Sequence, residues 1–271
     1  MSSVSLRPVL IAFGRALRAQ FSGKMIILSA VPFLLSVLLW GGLLYTGLQP
    51  LIDAIQGFFD SHNGFQTSAG MLGVLGIGFL KTVIVPLLAM LLLLPLMIMT
   101  ALVFMGVAAM PAIVRHVSAR QYPDLEQKHG GSLIGSVKTN LGGMLIFLPV
   151  WLLTLPLYPL SVPIQIVLWG WLTAHVMSYD ALADHASEAE RHELKRLHRM
   201  PLLVIGIVSG VAGSLPGLVW VGGTVLSVVL FPILAPLSIW IFVLIFVFTG
   251  LWFQYYCLQA LQEMRAAGKQ L

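Results

Sequence analysis

Residues 200–262 form an unbroken run of 63 amino acids without Asp, Glu, Lys, Arg or His. No aqueous surface helix reads this way, because a helix apolar on all sides must be surrounded by protein or by lipid. Three further runs share the property: 25–45, 82–110 and 141–177 hold 21, 29 and 37 residues, interrupted only by His175. About 20 apolar residues cross a bilayer as a helix, so the chain reads as an all-α integral membrane protein. Its charged fraction of 9%, against the ~25% of soluble domains, excludes a separate aqueous domain. A single membrane domain over 1–271 is expected.

The runs divide the chain as follows. In 1–24, Leu6, Leu10, Phe13, Leu17 and Phe21 recur at three- and four-residue steps with Arg7, Arg15 and Arg18 to the side. That pattern predicts an amphipathic helix lying in the membrane interface; it is expected to be retained, since the following apolar run is too long for a signal peptide. Long spans are expected at 25–45 and 82–110, with Pro86 and Pro95 kinking the second. The blocks 141–177 and 200–262 start and end beside charge, so each must enter the membrane and return. The first is short for two crossings and carries four prolines. It is expected to be a partly inserted hairpin, and the second a hairpin broken at Pro216-Gly217, Gly222-Gly223, Pro232 and Pro236, followed by an exit helix.

Orientation follows from the basic residues, which stay on the cytoplasmic side. Residues 46–69 have Asp53 and Asp60 but no Lys or Arg, whereas 115–138 and 191–199 each have four. Both termini are therefore expected inside, with 46–69 outside. Lys81 lies near the outer end of the second span, where its stem can reach water.

Residues 178–199 read SYDALADHASEAERHELKRLHR. Ser187 and Glu190 have capping-box spacing, and acids precede bases, so a short cytoplasmic helix is expected. Its basic end would meet anionic headgroups near Met200. Two sharper readings fail. His185, Glu188 and His192 give one side of a metal shell and no HExxH; Asp180, Asp184 and Glu188 lack the second acidic motif of a magnesium-diphosphate site. Without a nucleophile elbow or Walker loop either, the sequence implies no enzyme, cofactor, metal or nucleic-acid partner. Cys257, alone, excludes an intramolecular disulfide.

The order of segments resembles a family. AFGRALRAQFSGKMIILSAVPFLL, GVAAMPAIV, a proline-rich block, SYDALADHASEAERHELKRLHR and GSLPGLVWVGG are similar in sequence and order to CysZ-like sulfate permeases and etoposide-induced membrane proteins. The resemblance implies a helical bacterial inner-membrane protein with two long spans and partly inserted hairpins, assembled as a homo-oligomer and passing sulfate. Where CysZ proteins have an Arg-Arg pair and a GLLAE motif, this chain reads SGKMII and PAIVRHVSAR. Two functions stay open. In a small-anion permease or channel, Lys24, Arg115 and His116 line the anion path; in a membrane scaffold or assembly factor, the helix from Ser187 to Arg199 docks a partner.

Overall fold

In the computed structural model the described residues are 6–61, 93, 100, 110–154, 157, 161–221 and 224–268. They form helices α1 (Arg7–Gln20), α2 (Gly23–Ser61), α3 (Met110–Gln121), α4 (Leu133–Thr154), α5 (Ser161–Leu182), α6 (Glu188–Leu197), α7 (Arg199–Val221) and α8 (Thr224–Ala266). No strand occurs among these residues. Four segments are long and apolar enough to cross a membrane: Gly23–Gly47, Ile134–Thr154, Arg199–Pro216 and Pro236–Ala266. The chain is an all-α membrane protein. The span expected at 82–110, with Lys81, Pro86 and Pro95, lies outside the described residues apart from Leu93, Thr100 and Met110.

Several helices are longer than the apolar runs that announce them. Helix α2 has 39 residues and contains Pro32 and Pro50, so at 1.5 Å per residue it extends about 58 Å, passing through Asp53 in the segment expected to be a loop. The arms α4 and α5 have 22 residues each and extend about 33 Å. They exceed the block 141–177 because helix continues over Lys138 on one side and Asp180 on the other, and Pro149 lies within α4. Proline breaks are fewer than expected in 200–262: Pro216 is inside α7, while Pro232 and Pro236 are inside α8, a continuous helix of 43 residues. In apolar surroundings, helix tolerates proline where neighbouring groups re-satisfy the freed carbonyl.

The described chain divides into two units. One comprises Met1–Ser29, Gly106–Leu215 and Leu244–Leu271; the other Ala30–Met105 and Pro216–Val243. In the second, Phe33 of α2 meets Trp240 of α8 edge to face, with ring centroids 4.9 Å apart. Ser36, Ile239 and Val243 are buried there.

The first unit is built around the C-terminal half of α8, where every residue from Leu251 to Leu258 is buried. Phe13 of α1 packs edge to face on Phe248 and Trp252 at 5.2 and 5.0 Å. The Trp252 indole N–H donates to the Val9 carbonyl at 3.0 Å. Helix α1 thus buries its small side, Val9, Ala12 and Ala16, while Leu10 and Phe21 stay 65% and 73% exposed. Of the large apolar residues in the sequence pattern, Leu6, Leu10, Leu17 and Phe21 are exposed, whereas Phe13 turns inward onto α8. On α8, a side chain at Gly250 would meet the Met110 sulfur at 3.0 Å, which sets how closely α3 approaches. Glycine has the same role where α5 crosses α7, since a Cβ at Gly206 would collide with the Gly170 carbonyl oxygen.

Candidate functional site

The charged stretch proves to be an internal clasp. Ser187 is extended and caps α6: its hydroxyl accepts from the Glu190 N–H at 3.2 Å, and its own N–H donates to Glu190 Oε2 at 2.9 Å. The capping box expected from the spacing is made. Glu190, however, is completely buried. Its carboxylate accepts from Arg265 Nε and Nη2, both at 3.0 Å, and from Lys128 Nζ at 3.0 Å. Arg265 continues to the carbonyls of His185 at 2.7 Å and Glu126 at 3.0 Å. One carboxylate thereby ties the last turn of α8 to the 122–132 loop and the start of α6. Burial alone would raise the Glu190 pKa, but Arg265, the Ser187 N–H and Lys128 outweigh it and hold the carboxyl at about 2.

The loop before α4 threads along the 183–187 turn. His129, Gly130 and Gly131 donate backbone N–H groups to the carbonyls of Asp184, Ala186 and Ala183 at 3.0, 3.2 and 2.8 Å. His129 adopts φ 45°. A Cβ at Gly130 would strike the backbone of Ala186 and Ser187, and one at Gly131 would strike Ala183, which is why glycine occupies both positions. Arg191 donates to the Gly130 carbonyl at 2.6 Å, and its guanidinium carbon stands 4.5 Å from the centre of the Tyr179 ring. Ser136 donates to Asp180 at 2.6 Å. Lys195 reaches the His175 carbonyl at 3.2 Å, and burial draws its pKa down to about 8. Two of the bases expected to meet headgroups, Arg191 and Lys195, thus turn inward, while Arg196 pairs with Glu193 at 2.8 Å.

The metal and diphosphate patterns do not assemble. Helix α6 begins at Glu188, so His185 precedes it in a turn and is buried, whereas Glu188 and His192 are exposed. Among the described residues, no group of three His, Cys, Asp or Glu side chains is arranged to hold a metal ion.

The anion-path candidates fall at the junction of α1, α2 and α3. Lys24 is the second residue of α2 and is exposed; Arg115 is exposed on α3, one residue before half-buried His116. The His116 pKa is lowered, first by burial, then by the positive charges of Lys24 and Arg120. At neutral pH it is therefore an uncharged imidazole that can donate or accept a hydrogen bond. Lys24 and His116, far apart in sequence, are brought within electrostatic reach. Arg120 joins them, a residue overlooked in the sequence although its four-residue spacing from His116 puts both on one face of α3. Arg115, next to His116, lies about 100° around the helix from it.

A second feature lies nearby in the same unit. Arg15, Gln121, Tyr122, Gln259, Gln262 and Glu263 line an open cleft of about 630 Å³ beside the ends of α3 and α8. Arg15 Nη1 donates to the Tyr122 hydroxyl at 3.4 Å and to Gln259 Oε1 at 3.3 Å.

Comparison with known proteins yields one family. The model described as sulfate transporter CysZ/etoposide-induced protein 2.4 matches residues 12–222, a range that takes in Arg15, Lys24, Arg115, His116, Arg120 and the whole of α6. No curated protein and no solved structure matches the chain.

Proposed function

We propose that this chain, which belongs to the sulfate transporter CysZ/etoposide-induced protein 2.4 family, passes a small anion, sulfate by family, across a bacterial inner membrane. The observation that carries the reading is the meeting of Lys24, His116 and Arg120: the charges that act on His116 are both positive. Positive charges gathered in this way raise the local concentration of anions. Lys24 also stands in the first turn of a 39-residue helix, where free backbone N–H groups favour an anion. Arg115 adds charge on another side of α3, and neutral His116 supplies a hydrogen bond.

The alternative, a scaffold docking partners through α6, loses support because Glu190, Arg191 and Leu194 of that helix are buried within the chain. The protein works as a homo-oligomer with both termini cytoplasmic, the orientation favoured by its basic segments.

Sulfate uptake into liposomes containing the purified protein tests this. The Lys24→Ala, Arg115→Ala double variant should lose flux on the order of tenfold at low salt, the scale of electrostatic focusing, and Arg120→Ala should lower it further. Alanine at the exposed acids Asp184 and Glu188 should leave flux unchanged or slightly raised. Equal flux from the wild type and the double variant would remove these residues from the path. A wild type that conducts none of sulfate, phosphate or chloride would overturn transport and restore the scaffold reading.

A further inference from the structure

The cleft beside Arg15 holds two opposite charges that do not meet. Arg15 comes from α1, and Glu263 from the last turns of α8. Among the described residues, Arg15 makes contacts only through Nη1, both to neutral oxygens and both longer than a good N–H···O bond. Its Nε and Nη2 edge is left for an acceptor that offers two oxygens side by side. Glu263 accepts from Gln259 Nε2 at 2.9 Å and forms no ion pair among the described residues. Gln259 thus stands between them, accepting from Arg15 and donating to Glu263. At about 630 Å³ the cleft is within the range of small-molecule sites, ~300–1,000 Å³.

Its position decides what can fill it. Helix α1 exposes Leu10, Ile11 and Leu17, and Ile11 lies one turn from Arg15 on the same side of the helix. An apolar row of this kind sits at the boundary between acyl chains and headgroups. Helix α8 brings Gln259, Gln262 and Glu263 to the end of the candidate span Pro236–Ala266. The cleft therefore opens at headgroup depth, where phospholipid is the most concentrated ligand.

We infer that the cleft binds the headgroup of a phospholipid that carries both a phosphate and a primary ammonium, as phosphatidylethanolamine does. The phosphate takes the free edge of Arg15, and the ammonium donates to the Glu263 carboxylate. Gln259 and Gln262 satisfy the remaining polar atoms, while the acyl chains run along the exposed side of α1. Glu263 repels a headgroup whose only charge is negative. A quaternary ammonium cannot donate a hydrogen bond to it. The inference stands apart from the anion-path reading, since it needs only that the chain is a membrane protein.

Native mass spectrometry of the detergent-purified protein, exposed to equal amounts of phosphatidylethanolamine, phosphatidylglycerol and phosphatidylcholine, provides the test. The wild type should retain phosphatidylethanolamine preferentially. Arg15→Gln should weaken that retention about tenfold, the scale of one lost charge-assisted contact, and Arg18→Gln, outside the cleft, should not. Glu263→Gln changes an exposed residue at little risk to folding, and it should shift preference from phosphatidylethanolamine toward phosphatidylglycerol. An unchanged ratio of the two lipids in Glu263→Gln would overturn the proposal, whatever becomes of the Arg15 variant. So would a wild type that retains all three lipids equally. Inorganic phosphate that displaces phosphatidylethanolamine at millimolar concentration would instead identify a free anion as the occupant and overturn the lipid assignment.

Discussion

Replacing Glu190 with glutamine tests whether the charged stretch holds the fold together. Glutamine keeps the shape and can still accept from the Ser187 N–H, so the cap on α6 survives. What disappears is the negative charge facing Arg265 and Lys128, each at 3.0 Å. A carboxyl held at about 2 instead of its ordinary value near 4.5 contributes roughly 3 kcal/mol at neutral pH by linkage. Removing one partner of a buried pair costs about 3–5 kcal/mol. Lys128 is 24% exposed and Arg265 10%, so water softens the loss and the lower figure, about 3 kcal/mol, is expected. The sign of the pH dependence follows from the lowered pKa: the contribution is complete above the unfolded value near 4.5 and fades as pH falls toward about 2. Equilibrium unfolding in mixed micelles, followed by tryptophan fluorescence, measures both effects. Glu190→Gln should be destabilised at pH 7 and should lose less stability than the wild type on acidification from pH 5 to 3. In a double-mutant cycle with Arg265→Gln, the two substitutions should be strongly non-additive. A cost below ~0.5 kcal/mol, the level of an exposed pair, or parallel acid profiles for the two proteins, would refute the clasp.

Three further outcomes are expected. Gly131→Ala places a methyl group against Ala183 and should cost about 1–3 kcal/mol in the same unfolding assay, as overpacking does. Ser187→Ala removes the hydroxyl that accepts from Glu190; a loss of about 1 kcal/mol is expected for an N-cap, with slower-exchanging amides in α6 becoming less protected. For the proposed orientation, single cysteines replacing exposed His192 and Ala266 in a Cys257→Ala background should react with impermeant maleimide only after the inner face is opened. Labelling of both in intact cells would invert the topology.

Much of this protein is decided within short stretches of its sequence. Charge-free runs longer than a bilayer is thick require membrane helices, whatever their neighbours. The Ser187 cap needs only a residue three positions away, and the amphipathic side of α1 is written in its own three- and four-residue steps. Helix ends were less legible, because runs were bounded by charge whereas α4 and α5 continue past Lys138 and Asp180 until their helices end.

Tertiary structure decided which partners these local features find. Glu190 read as one more acid on a solvated helix; it is buried because Lys128 and Arg265, 62 and 75 residues away in the chain, fold against it. Helix α1 could have packed through its leucines, yet it meets α8 through Phe13 and buries the small residues Val9, Ala12 and Ala16 instead. Lys24 and Arg120 likewise act on the same imidazole, His116, only because the fold brings the start of α2 within electrostatic reach of α3. Local spacing fixes which way a side chain leaves its own helix, but its charge is compensated or left open by whatever the rest of the chain places opposite it.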